Sequence, residues 1–178
     1  MENESGQYFV FEQDFVEKGI RCIPMIVRLK MDVVGIKLKL AHWSRFAEDE
    51  RMLLSIQPCS NHEQQCSYGT YLTWLIRKYT GEEPVLLEVD HHPAWQVTDI
   101  IPAEVQTKAL EFGWMIAVSQ WQLLSDLQRF ALLKLCRPGH ENKNFPKAMK
   151  EFGLVAAAAQ GPPDSPEKRP PEKRPSES

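Results

Sequence analysis

The feature that most constrains the fold is an internal repeat with an offset of 78 residues. Eight of the 32 positions from 23 to 54 are identical to the residue 78 positions later, where average residue usage predicts about two identities. Some of these pairs are residues typical of helix boundaries, with proline at the start of a helix and glycine after its end. They are Ile23/Ile101, Pro24/Pro102, Val27/Val105, Lys30/Lys108, Gly35/Gly113, Trp43/Trp121, Arg51/Arg129 and Leu54/Leu132. The pattern predicts two copies of one structural unit, over 23–56 and 101–134.

The second copy fixes the interpretation of the first. Pro102 and Gly113 bracket PAEVQTKALEF in the order that helices favour. Taken alone, residues 25–34 fit either a strand, because apolar and polar residues alternate, or a helix bracketed by Pro24 and Gly35. The repeat favours the helix. Each unit then reads as a helix, a glycine stop, a short extended piece (IKLKL or WMIAV), a helical turn at the tryptophan and a further helix.

The expected fold is therefore all-α or nearly so, a compact domain over 7–158 built from two helix–turn–helix repeats. The two extended pieces could pair as a small antiparallel ribbon about a pseudo-twofold axis, as the loops of paired EF-hands do. An amphipathic helix is expected over 65–79 and a short one in NFPKAMKEFGL. Calcium is not expected, since Asp32 is the only carboxylate around Gly35, and an EF-hand loop needs several.

The composition changes sharply near the C-terminus. After residue 160 the chain is rich in proline and in balanced charges, repeats PEKRP, and contains no aliphatic or aromatic residue. Such a stretch has nothing to bury against the entropy cost of ordering it. A disordered tail is predicted over 159–178.

Charge and composition exclude several classes of protein. With 24 acidic and 21 Lys or Arg residues and a pI near 6.0, the chain lacks the basic character of nonspecific nucleic-acid binders. No apolar run approaches the ~20 residues that span a bilayer, and the acidic N-terminus lacks the basic start of a signal peptide. Four scattered cysteines do not suggest a disulfide scaffold. We expect a cytoplasmic protein without a membrane or nucleic-acid partner.

Two motifs could carry chemistry, and neither is specific. Cys59, His62 and Cys66 have the spacing C-x2-H-x3-C, which is loose for zinc and falls in a segment typical of a helix start. Cys136 and His140 could form a thiolate–imidazole pair, but no orienting third residue is assignable. The sequence predicts no catalytic residue, no metal and no cofactor.

The paired tryptophans and arginines of the repeat are interpreted as structural. Trp43 and Trp121 are expected in the core, because tryptophan buries a large area on average. Arg51 and Arg129 are expected as ion-pair partners at the edge of the core, with a site for an anionic group as the alternative.

Two stretches resemble the nitrate reductase-associated protein family, which is best known from cyanobacteria. They are DFVEKGIRCIPMIVRLKMDVVGIKLKLAHWSRFAEDERMLL and LQRFALLKLCRPGHENKNFPKAMKEF, and the resemblance runs from about Phe9 to Phe152. It implies a noncatalytic factor needed for an active assimilatory nitrate reductase, in maturation or molybdenum-cofactor loading. The implied partner is nitrate reductase or its maturation machinery, and the family offers no catalytic residues.

Charged and polar residues at the signature positions are the candidates for partner binding. They are Arg21, Arg28, Lys30, Asp32, Lys37, Arg137, His140, Glu141 and Asn144. Arg28 and Asp32 are spaced to pair with each other on one helix, which is the structural alternative. Cations near Arg137 could hold an acidic patch or a pterin phosphate. Two other functions stay open: a regulator of nitrogen metabolism that binds a small molecule between the repeats, and an unrecognised enzyme using Cys136 and His140.

Overall fold

A computed structural model describes residues 8–137 and 140–155, apart from the side chains of His140 and Glu141. The predicted tail over 159–178 lies outside the described residues. Over the described residues the chain is helical, with one two-stranded sheet, so the expected fold class is confirmed. None of the described helices combines the length and the hydropathy needed to cross a bilayer.

The described part of the first half, from residue 8 onward, contains five α-helices and both strands. The helices are α1 (Gln13–Val16), α2 (Met25–Val34), α3 (Leu40–Trp43), α4 (Glu48–Ile56) and α5 (His62–Thr80). The strands are β1 (Ile36–Lys37) and β2 (Val85–Leu86), and a 3-10 turn over Val10–Glu12 precedes α1.

The second half contains four helices among the described residues. They are α6 (Ala103–Leu110), α7 (Val118–Leu123), α8 (Asp126–Cys136) and α9 (Phe145–Glu151). Two 3-10 turns, Ala94–Gln96 and His140–Asn144, precede α6 and α9.

The helix starts repeat with the predicted offset. The pairs α2/α6, α3/α7 and α4/α8 each begin 78 residues apart. Residues 25–34 form helix α2, and its equivalent in the second copy is helix α6. The helix predicted for the first copy is therefore confirmed, and the alternative of a strand is excluded. The prolines differ from expectation in one detail, since Pro24 and Pro102 are N-caps with extended backbone rather than first-turn residues.

The repeated tryptophans are buried as predicted. Trp43 and Trp121 are both 0% exposed. The Trp43 indole Nε1 donates to the Ile20 carbonyl at 2.8 Å, and the Trp121 Nε1 donates to the Val97 carbonyl at 2.9 Å. Each indole therefore joins its unit to the chain segment that precedes the unit.

The repeated arginines are also structural. Arg129 is 4% exposed, pairs with Asp126 and donates to the carbonyls of Trp95, Trp121 and Leu124. Arg51 instead donates to the Ile20 carbonyl at 3.2 Å. The predicted ion pair is thus present for Arg129.

The ribbon is present, but the expected pairing of the two extended pieces is wrong. Strand β1 pairs antiparallel with β2, Ile36 opposite Leu86 and Lys37 opposite Val85. The chain after α5 returns to cover β1, and the Leu87 amide donates to the Gly35 carbonyl at 2.8 Å. The equivalent segment after Gly113 carries no strand in the described part of the chain.

The buried apolar residues form two clusters, one for each repeat. The first includes Trp43, Tyr68 and Leu72, and the second includes Trp121, Phe130 and Phe145. Helix α2 belongs to both, because Val27 and Met31 lie in the first and Met25 lies in the second. The two repeats thus meet along α2, which packs against α5 and α8.

Candidate functional site

A cavity of about 740 Å³ lies where the two repeats meet. Five of the nine predicted binding residues line it, and they come from both halves. They are Arg28, Asp32, Lys37, Arg137 and Asn144. The two stretches that resemble the nitrate reductase-associated family lie about 100 positions apart in sequence. Residues of both stretches therefore converge on one cavity.

Elements of both repeats contribute cations and acids to the wall of the cavity. Helix α2 supplies Arg28 and Asp32, and β1 supplies Lys37. The end of α8 supplies Lys134, with Arg137 directly after it, and the start of α9 supplies Lys147. The 3-10 turn His140–Asn144 between these helices adds Lys143 and Asn144, so the second repeat contributes four cations to the lining.

Among the described residues, an ion pair in the cavity wall joins the two repeats. The Lys134 Nζ lies 2.6 Å from an Asp32 carboxylate oxygen. The Arg28 Nε donates to the Ile23 carbonyl at 2.9 Å, within its own repeat. The ion-pair partner of Asp32 is therefore Lys134 of the second repeat, and not Arg28 of the same helix as the spacing suggested.

Several cations of the lining remain without an acidic partner. Among the described residues, no carboxylate pairs with Lys37, Arg137, Lys143 or Lys147. All four side chains belong to exposed residues. The cavity therefore offers free positive charge to a ligand or partner.

Glu12 is a buried acid in the cavity wall that sequence reasoning missed. It is 2% exposed, and its carboxylate accepts hydrogen bonds from the amides of Met25 at 2.8 Å and Phe9 at 3.1 Å. Burial raises the pKa of Glu12 to about 7, against the lowering effect of those two amides. Glu12 thereby caps the first turn of α2 and titrates near neutrality.

The expectation that Lys30 lies on the binding surface is wrong. Lys30 is 7% exposed, and its Nζ donates to the carbonyls of Ser55 at 2.6 Å and Gln57 at 2.7 Å. Burial lowers its pKa to about 8. The side chain caps the C-terminal end of α4, where helix carbonyls lack partners.

The other predicted residues lie elsewhere. Arg21 is exposed and is not part of the cavity lining. The side chains of His140 and Glu141 lie outside the described residues. Lys134, Lys143 and Lys147 were not predicted, although the spacing of Lys143 and Lys147 around Asn144 was visible in the sequence.

The two weak chemical motifs gain no support. Burial, then the nearby Glu104, raises the pKa of the Cys136 thiol to about 12, whereas a nucleophilic cysteine needs a lowered pKa. Cys66 Sγ lies 3.6 Å from His62 Nε2 at the exposed start of α5. Over the described residues, no three His, Cys, Asp or Glu side chains are grouped closely enough to hold a metal ion.

A second cavity, of about 700 Å³, runs along α5 and beside β2. Its lining is mainly apolar and includes Val33, Gly69 and Trp74. None of the nine predicted residues lines it, and its one arginine, Arg77, is paired with Glu83. The cavity between the repeats is therefore the better candidate site.

These features define a helical protein of two repeats with a cation-lined cavity between them. A family model described as conserved nitrate reductase-associated protein matches residues 8–152. The chain belongs to this family, and the resemblance seen in the sequence is confirmed. Comparisons with curated proteins and with solved structures found no match.

Proposed function

We propose that this protein is a noncatalytic accessory factor that nitrate reductase needs for activity, and that it acts through the cavity between the repeats. The observation that carries the proposal is the convergence of five signature residues on that cavity. The family description supplies the link to nitrate reductase.

The proposed step is maturation of the reductase or loading of its molybdenum cofactor, in the cytoplasm. The cavity supports a binding role because four of its cations, Lys37, Arg137, Lys143 and Lys147, are exposed and pair with no carboxylate of the described residues. Charged rims also orient partners and raise association rates. The raised pKa of Cys136 argues against the one nucleophile that the sequence suggested.

The test uses a strain deleted for this gene, with nitrate reductase activity and apoprotein level measured in the same extract. Normal apoprotein with little activity is the expected result. Wild type and Lys150→Glu should restore activity, whereas Arg137→Glu should not. Lys150 is the matched control, because it is exposed on α9 but outside the lining.

Other outcomes lead to different conclusions. Loss of the apoprotein would indicate that this protein stabilises the reductase or regulates its synthesis. Normal activity and normal apoprotein in the deleted strain would contradict the proposal.

A second candidate function is a regulator of nitrogen metabolism that binds a small molecule. The volume of the cavity favours it, since ligand sites commonly measure about 300–1,000 Å³. Such a regulator would respond to a metabolite in vitro in the absence of the reductase, for example by a rise in thermal stability.

A further inference from the structure

We propose that the cavity between the repeats binds a small organic anion, a phosphate ester with a flat apolar body. The inference rests on the proposed function only in taking this cavity as the functional site. It goes further by naming the chemical class of the occupant, and it holds for either of the two candidate functions.

The charge of the lining is opposite to that of the chain. Among the described lining residues, six are cationic and three are acidic, namely Glu12, Asp14 and Asp32, which gives a surplus of three positive charges when all are ionised. The whole chain carries a net charge of -3. The cavity is therefore a local concentration of positive charge, which focuses potential on an anion inside it.

Three of the four unpaired cations come from neighbouring segments of the second repeat. Arg137 directly follows α8, Lys143 lies in the 3-10 turn His140–Asn144, and Lys147 lies on α9. Lys143 in the 3-10 turn and Lys147 on α9 line the same cavity, and like charges that share a cavity repel each other. A multiply charged anion would relieve that repulsion, and arginine and lysine together are well suited to phosphate oxygens.

Apolar side chains also line the cavity. Phe11, Met25, Met31 and Ile36 form part of it, and each is less than one-tenth exposed. Aromatic rings and thioethers contact flat apolar groups favourably. An inorganic ion would leave most of the 740 Å³ unfilled, so the lining fits a charged group attached to an apolar body.

The experiment measures binding to the full-length protein by calorimetry, with naphthyl phosphate, inorganic phosphate and naphthol as probes. We expect naphthyl phosphate to bind at least about tenfold more tightly than either fragment, because it alone uses both parts of the lining. Arg137→Ala and Lys147→Ala should each weaken its binding by about tenfold. Lys150→Ala should leave binding unchanged, and all three variants should keep the wild-type melting temperature.

Three results would overturn the inference. They are no binding of naphthyl phosphate at millimolar concentration and low salt, equal binding of naphthyl phosphate and inorganic phosphate, and equal effects of Lys147→Ala and Lys150→Ala. Tighter binding of hexaglutamate than of naphthyl phosphate would also overturn it, in favour of an acidic protein segment.

The inference and the proposed function fail in different ways. Naphthyl phosphate binding with normal nitrate reductase in the deleted strain would remove the proposed function alone. Loss of reductase activity in the Arg137→Glu strain without any binding of the probe would remove the inference alone.

Discussion

At the scale of single residues, the repeat supplies a matched pair of glycines. Gly35 and Gly113 both have a positive φ, 66° and 72°, so an alanine is strained at either position. A Cβ at Gly35 would lie 2.7 Å from the Leu87 carbonyl oxygen, whereas a Cβ at Gly113 would meet nothing within 4 Å. The chain at the end of β2 therefore covers Gly35, whereas no described segment covers Gly113.

Gly35→Ala should therefore destabilise the protein more than Gly113→Ala. We expect about 1 kcal/mol for Gly113→Ala from backbone strain, and a further ~1–3 kcal/mol for Gly35→Ala because β2 must move. Urea denaturation of both variants measures the difference. Equal losses of unfolding free energy in the two variants would mean that β2 can move away from residue 35 without a cost in stability.

Glu12 predicts a dependence of stability on pH. Its pKa is raised from 4.5 to about 7 in the folded state, so ionisation costs more in the folded than in the unfolded protein. Its contribution to stability should fall as the pH rises from about 4.5 to about 7, and then stay constant. The shift corresponds to a loss of ~3 kcal/mol.

The measurement compares wild type with Glu12→Gln by denaturant unfolding at pH 5 and pH 8. The advantage of wild type over Glu12→Gln should shrink by ~2–3 kcal/mol between these pH values. Parallel behaviour of the two proteins would show that Glu12 is ionised throughout.

At the scale of elements, most helix boundaries could be predicted from the sequence. Proline, glycine and capping residues act locally, and Ser125 and Gln128, for example, form a reciprocal capping box at the start of α8. The partner of β1 could not be predicted, because β2 has only two residues and is followed by irregular chain. The burial of Lys30 was also hidden, since its acceptors lie 24 to 27 residues away.

Lys30 and its repeat equivalent Lys108 give a second matched pair. Lys30 caps the carbonyls at the end of α4, whereas Lys108 pairs with Glu111. Lys30→Met should cost ~2 kcal/mol, because buried carbonyls lose a charged donor. Lys108→Met should cost less than ~1 kcal/mol. The two melting temperatures test this, and a larger loss for Lys108→Met would contradict the assigned cap.

At the scale of the whole molecule, the cavity depends on contacts that no local pattern encodes. The sequence indicated that Asp32 and Arg137 mattered, but the pairing of Asp32 with Lys134 spans 102 positions. Lys143 and Lys147 were missed because exposed lysines are common, and only tertiary packing brings them to the same cavity as residues of α2. The site was therefore predictable as a set of residues, and its shape was not.

The ion pair between Asp32 and Lys134 should couple the two repeats. Its side chains are 43% and 18% exposed, so we expect a coupling energy of about 0.5–1 kcal/mol. A double-mutant cycle with Asp32→Ala and Lys134→Ala measures it. Strict additivity of the two changes would show that the pair does not hold the repeats together.

The uncovered segment after Gly113 has a consequence for hydrogen exchange. Bonds alternate along an antiparallel ladder, so the bond between Leu87 and Gly35 implies that the Lys37 amide is also bonded to β2. The equivalent amide, that of Met115, has no acceptor among the described residues, and Met115 is 73% exposed. Met115 should therefore exchange its amide proton much faster than Lys37. The two copies would then differ in the rate at which this segment opens, although their helices begin at matching positions.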